Sequence, residues 1–322
     1  MTCSEVRREM AYMIKIYKSQ ETALDEIDEI TNGCWINLTN PTEKELEEVS
    51  EKTGLYMEFL KAPLDEEESS RLEIDDDQTF IIVDIPVMDA ERKSVQYYTI
   101  PLGIILNENL IVTICLKENR AIEDFILRKV KTFYTYKKSR FILQILYRIA
   151  TYYLIYLKQI DKASHVIEEK LHKSMKNKEL IQLLSLEKSL VYFSTSLKAN
   201  EITLEKMLKL DIIQKYPEDQ DVLEDVIIEN KQAIEMANIY SNILSGTMDA
   251  FASIISNNLN IVMKLLASIT IVMAIPTMIS GFFGMNVKVP FADSPFGFGI
   301  IIVIAAVVSF LAVWILAKKD MF

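Results

Sequence analysis

The chain has 322 residues, with 46 Asp or Glu against 35 Lys or Arg, a formal net charge of −11. That acidity argues against nucleic acid or anionic lipid as the main partner, since both select basic patches, and it suits cationic ligands or simple solubility. His165 and His172 are the only histidines, and Cys3, Cys34 and Cys115 are scattered without zinc spacing. A soft-metal site and a His-centred triad are therefore not expected, and the thiols are expected to be reduced and cytosolic.

The acids lie almost wholly before residue 236, and the long apolar runs lie after 258. The first residues, “MTCSEVRREMAYMIKIYK”, are charged and lack the apolar stretch of a signal peptide.

Residues 1–118 read as a mixed α/β cytosolic domain. “YMIKIYK”, “CWINL”, “TFIIVDIPV”, “YYTIPLGIIL” and “LIVTICL” are β-branched or aromatic runs, hence strands. “NPTEKELEEVSEKTG” reads as a helix, with Asn40 or Thr42 as N-cap, Pro41 near its start and Gly54 after its end. “PLDEEESSRLEIDDDQ” reads as a charged loop and strand start. Its acids lack the ligand order of a calcium loop and suit a solvated surface.

From 119 to 217 the pattern turns helical, with a break at “HKSMKNKE”, which predicts two long antiparallel helices. From 218 to 286 a single stalk helix is predicted to run into the first membrane span, with about 95 Å of helix between Asp221 and Gly284 at 1.5 Å per residue. Apolar residues recur along it at Leu223, Ile227, Ile234, Ala237, Leu244, Met248, Phe251 and Ile255, with Asn230 and Ser241 on the same seam. Such a stripe packs either against copies of itself or into the core of its own domain.

Residues 265–285 and 294–317 carry no charge, and each is long enough to cross a bilayer of about 20 helical residues. A short outer loop, 287–293, joins them, and a basic tail, 318–322, follows. Lys264, Lys318 and Lys319 place the inner ends in the cytosol by the positive-inside rule, so both termini are cytosolic. Neither span holds an ionisable group, which disfavours pumps and antiporters. A plain anchor and a channel lined by neutral groups both remain.

Back from Asn286, one face of the first span carries Gly281, Thr277, Ala274, Thr270, Leu266, Met263 and Asn260. Its outer half is small or hydroxylic. Such residues serve either close helix packing or a wet lining. Asn286 itself serves either as a helix C-cap or as a polar group at the outer mouth. Pro276 is expected to bend the helix.

These residues also carry a resemblance. “IPTMISGFFGMN”, then a short loop and a last span ending in lysines, resembles the CorA magnesium channels. Gly284-Met285-Asn286 matches the family's Gly-Met-Asn signature at the outer end of the penultimate span. “WINLTNPTEKELEEV”, “RLEIDDDQTFIIVDIPV” and “SNNLNIVMKLLASIT” look like family segments in the expected order, so the likeness covers most of the chain.

The resemblance implies a funnel-shaped homopentamer in the plasma membrane, with Gly284, Met285 and Asn286 as selectivity filter. It implies a pore lined by Asn260, Met263, Leu266, Thr270, Ala274, Thr277 and Gly281, with Met263 and Leu266 as hydrophobic gate. Lys318 and Lys319 match a basic collar, and Asp89 with Asp225 matches a regulatory Mg2+ site between protomers. Mg2+ is then both cargo and regulator, with Co2+ or Ni2+ as further cargo. Met88 stands where some members have another acid, and “VKVPFAD” replaces the usual Met-Pro-Glu-Leu, with Lys288 and Asp293 cancelling.

A zinc, cobalt or nickel transporter of the same family is the alternative within transport, and Met285 speaks against the zinc branch. A non-conducting, membrane-anchored cytosolic sensor is the alternative outside it. No phosphate loop, nucleophile elbow or His-centred constellation points to an enzyme.

Overall fold

The computed structural model describes residues 14–20, 24–89, 96–130, 132–174, 177–210, 217–287, 290 and 295–319. Cys3, Lys288 and Asp293 lie outside them. The chain forms two compact units, Met1–Ser245 and Gly246–Phe322.

The first unit is built on a seven-stranded sheet of β1 Ile14–Ser19, β2 Leu24–Ile27, β3 Trp35–Thr39, β4 Arg71–Asp75, β5 Gln78–Asp89, β6 Gln96–Leu106 and β7 Ile111–Cys115. The order is β2-β1-β3-β7-β6-β5-β4. Only β3 and β7 pair in parallel, Trp35 opposite Ile111 and Thr39 opposite Cys115. The central strands are buried on both faces, which is why they read as unbroken apolar runs. Edge strand β4 alternates Arg71, Glu73 and Asp75 with apolar residues, and such charges protect an open edge from pairing with other chains. Edge strand β2, “LDEI”, carries too few apolar residues to be read from sequence; it exists by pairing with β1.

One sheet face is covered by α1 Glu43–Thr53 and α2 Met57–Lys61. Their Leu46, Val49, Phe59 and Leu60 pack on Ile36, Leu38, Phe80 and Val112. Thr42, not Asn40, is the N-cap of α1: the Glu45 N–H donates to Thr42 Oγ1 at 3.4 Å and the Thr42 N–H donates to Glu45 Oε2 at 2.7 Å. This reciprocal box stabilises a helix start by about 1 kcal/mol. Gly54 ends the helix at φ 72°, where a β-carbon would be strained.

The other face is covered by α4 Lys138–Ser174 and α5 Asn177–Lys209, which pack on each other and on β5 and β6. The helical pattern expected from 119 onward is interrupted. A short α3, Arg120–Ile126, ends at Arg128 with φ 55°, and α4 begins only at Lys138. Half-buried Phe133, between them, packs on core rings rather than on a helix face: it stacks on Phe141 at 5.4 Å and meets Phe125 edge-on at 5.0 Å.

Asp124 of α3 holds this corner. Its carboxylate is 1 % exposed, pairs with Arg148, and accepts from Lys129 Nζ at 2.9 Å and Tyr152 OH at 2.7 Å. Burial pushes its pKa up, but those three donors outweigh burial and hold it below the usual carboxylate range.

Helix α6, Pro217–Phe283, starts in the first unit. Leu223, Ala237 and Leu244 are buried there, and Asn230 Nδ2 donates to the Leu197 carbonyl at 3.0 Å. Over residues 223–244 the apolar seam therefore serves the core of its own chain. The polar Asn230 on that seam is satisfied by α5.

The second unit contains the rest of α6 and α7, Gly297–Lys318. Both helices are long and apolar enough to cross a membrane. Only 6 % of the most apolar stretch of the first and 0 % of the second is buried in the chain. The second helix begins at Gly297 rather than 294 and includes Lys318.

Candidate ion path and regulatory acids

Each helix of the second unit covers one narrow stripe. On α6 the covered stripe runs from fully buried Ser268 through half-covered Val272, Ile275, Ile279 and Phe283, with Ala274 and Pro276 half-covered as well. On α7 they are Gly297, Ile301, Ala305, Ser309, Ala312 and Leu316. Steps of three and four put each set on one helix face. In a unit of two helices, such a stripe on each is the mark of one lying along the other.

At roughly 100° per residue, Met263, Leu266, Thr270, Thr277 and Gly281 fall on the side of α6 opposite that seam. Met263 is 56 % and Leu266 58 % exposed, and Asn260, Thr270, Thr277 and Gly281 are exposed too, while Ala274 is half-covered. The sequence stripe is thus a face that its own chain leaves uncovered. Nothing lies within 4 Å of where a Gly281 β-carbon would stand, so its small size is not demanded by packing within the chain.

The two hydroxyls on this face are already committed as donors. Thr270 Oγ1 donates to the Leu266 carbonyl at 2.8 Å, and Thr277 Oγ1 to the Met273 carbonyl at 3.0 Å. What remains to face outward is acceptor lone pairs. A hydrated cation presents water protons, and these need acceptors.

The C-terminal end of α6 closes with backbone donors. The Gly284 N–H reaches the Ser280 carbonyl at 2.9 Å and the Met285 N–H the Phe282 carbonyl at 3.4 Å. A β-carbon on Gly284 would stand 3.2 Å from the Ser280 oxygen, so a larger residue would need this carbonyl to shift by a few tenths of an ångström. Asn286 follows the closed turn and is exposed; it does not supply the cap.

Lys264 is exposed one turn before Ser268. Lys318 ends α7 with Nζ 5.6 Å from the Trp314 ring centre, and Lys319 caps the helix through its N–H to the Ile315 and Leu316 carbonyls.

The two regulatory candidates lie in the first unit. Asp89 is the last residue of β5, opposite Gln96 of β6, and is half-exposed. Asp225 is exposed on α6. Among the described residues no three His, Cys, Asp or Glu gather into a metal site.

One neighbour of Asp89 escaped the sequence reading. Lys117, just after β7, donates from Nζ to Tyr98 OH at 2.8 Å. Its pKa is raised first by that hydrogen bond and in lesser part by the charge of Asp89. The β6–β7 pairing brings it there, and no local motif announces it.

Compared with known proteins, residues 31–319 match the family described as CorA-like Mg2+ transporter protein. The chain belongs to the CorA family. The cobalt/magnesium transport protein CorA of Methanocaldococcus jannaschii is 30% identical over 326 residues, covering 96% of this chain and 99% of that one. The protein of that name from Thermotoga maritima is 22% identical, over 88% of this chain and 82% of that one. The complete structure of the CorA magnesium transporter from Methanocaldococcus jannaschii superposes with a TM-score of 0.82 at 27% identity, covering 95% of this chain and 98% of that one. The α/β unit, the long helices and the two C-terminal apolar helices are therefore a CorA fold.

Proposed function

We propose that this chain is a divalent-cation channel, for Mg2+ first and Co2+ or Ni2+ second, that assembles as a homopentamer in the cell membrane with both termini in the cytosol. The observation that carries the reading is the uncovered neutral face of α6, opposite the α7 seam, which ends at Gly284-Met285-Asn286. Family membership and the name of the M. jannaschii relative support cation transport by the same fold.

Mg2+ gives up water reluctantly and prefers six oxygen ligands. A ring of Asn286 amide oxygens would accept from the protons of that water without stripping it. A ring of carboxylates would bind too tightly to conduct. Below the ring, Thr277 and Thr270 offer acceptors, and Met263 with Leu266 form the constriction that closes by dewetting. Two charges moving down an inside-negative potential release about 4.6 kcal/mol per 100 mV, so uptake needs no coupled proton.

Asp89 and Asp225 of neighbouring protomers hold the regulatory Mg2+. Helix α6 carries both Asp225 and the gate residues, and it is the element through which binding at one would act on the other.

The deciding experiment is ion flux into proteoliposomes, with Mg2+, Co2+, Ni2+ and Zn2+ compared side by side. Mg2+ uptake driven by an inside-negative potential is expected, and Zn2+ is expected to be slowest. Absence of flux for every ion, in oligomeric protein of native fold, would leave a membrane-anchored sensor.

A further inference from the structure

We propose that the inner ends of the two spans bind the phosphate headgroups of anionic lipids, Lys318 with Trp314 on the uncovered side of α7 and Lys264 with Lys319 nearer the seam. This goes beyond the transport reading and assigns Lys318 a role away from the ion path.

Helix geometry separates the two terminal lysines. The covered stripe of α7 centres on Ala305, Ser309, Ala312 and Leu316. At roughly 100° per residue, Trp314 and Lys318 point to the opposite side of α7. Trp314 is 57 % exposed, and Lys318 sits over its ring at 5.6 Å. A tryptophan on the uncovered side of a membrane helix, one turn before a lysine, is an interfacial anchor: the ring lies at headgroup level and the ammonium reaches the phosphates. The face turned from α6 is the face turned from the stripe on α6, so Lys318 meets lipid.

Lys264 and Lys319 stand nearer the seam. Lys264 is one turn from fully buried Ser268, and Lys319 is three residues beyond buried Leu316. Both are exposed. Among residues 250–292 there is no acid, and the nearest carboxylate in sequence to the pair is Asp320, outside the described residues. The three lysines at these helix ends make a basic region in an otherwise acidic chain. The partner available there is the phosphate of the inner leaflet, whose attraction for a lysine is roughly five-fold in binding per residue.

The chain supplies its own probe. It has two tryptophans, and Trp35 is 0% exposed in the core of the first unit, beyond the reach of lipid quenchers. The full-length protein is reconstituted in phosphatidylcholine vesicles containing, at equal mole fraction, either brominated phosphatidylglycerol or brominated phosphatidylcholine, and Trp314 fluorescence is read. The brominated phosphatidylglycerol is expected to quench at a mole fraction lower by on the order of a hundred-fold, about five-fold for each of the three lysines. That preference should shrink in high salt. It should fall roughly five-fold in Lys318→Gln, which keeps two lysines to hold topology, and vanish in the triple Gln variant. The triple Arg variant should restore it, which separates charge from a folding defect. Equal quenching by the two lipids overturns the proposal, as does a preference that Lys318→Gln leaves intact. No ion flux is read, so the result is independent of the transport assignment.

Discussion

Ser268 and Thr270, two residues apart on α6, face opposite ways. Ser268 is 0% exposed and donates to the Lys264 carbonyl, while Thr270 is exposed and donates to the Leu266 carbonyl. Two helical steps turn the side chain through roughly 200°. One face of the first span is therefore covered within the chain, and the other is left uncovered.

Cysteine scanning reads this directly. Cysteines placed singly at Thr270, Ala274 and Thr277 are expected to react with a water-soluble thiol reagent in an open channel. Cysteines at Val272 and Ile279 on the seam, and at Val303 and Val307 of α7, are expected to react at least tenfold more slowly. Equal rates on both faces of α6 would remove the pore assignment.

Asn286→Ala is expected to abolish Mg2+ uptake while the protein stays folded and oligomeric. The helix end is already closed by the Gly284 and Met285 N–H groups, so the loss would not come from an uncapped helix. Asn286→Gln is expected to fail as well, because a longer amide narrows the ring. Wild-type flux in the Ala variant would leave the amide without a transport role.

The two spans and the neutral stripe were legible because they depend on local composition and a period of 3.6, which survive without tertiary information. The stripe's exposure was not legible, since periodicity marks a face without saying what covers it. The seam at Leu223, Asn230 and Leu244 shows the same limit: only packing assigned it to the chain's own core. Strand β2 and the aromatic corner at Phe133 were missed because long-range pairing, not local pattern, creates them. Lys117 beside Asp89 belongs to that class as well.

Two carboxylates give the stability profile opposite slopes. Asp124 is held below its ordinary pKa, so the stability it supplies is present above the unfolded value and is lost as pH falls through the folded one. Asp84 is raised, first by burial, against the hydrogen bonds of Ser196 and Ser70. In the window between its unfolded and folded pKa the native state holds the extra proton, so stability falls as pH rises through it. Asp124→Asn is expected to cost about 3 kcal/mol at neutral pH by stranding Arg148, and to flatten the acid limb of a denaturant-midpoint profile. Asp84→Asn should flatten the limb above it. A midpoint unchanged by Asp124→Asn would show the corner to be held by its aromatics alone.

Lys117 is expected to set the affinity of the regulatory acids. Its ammonium adds positive charge near Asp89 and competes with a bound cation. Lys117→Gln should lower the internal Mg2+ concentration needed for half-inhibition by several-fold, with unitary conductance unchanged. A shift to higher Mg2+ would mean that Lys117 positions Asp89 through Tyr98 instead.

The regulatory reading itself rests on Asp89 and Asp225 acting across protomers. Mg2+ bound between them would offset carboxylate repulsion and favour the closed arrangement, and a ligand shifts a gate only by its differential affinity for the two states. Replacing both acids with Asn removes the ligand and also the repulsion. The double variant is therefore read in two ways at once. Loss of Mg2+-dependent protection from proteolysis, with current persisting at internal Mg2+ that silences the parent, is the expected outcome. Constitutive protection with constant low current would mean that relieved repulsion mimics bound Mg2+, which still places the switch at this pair. Inhibition by Mg2+ at the parent's concentration, with protection still dependent on the ion, would move the sensor to other residues.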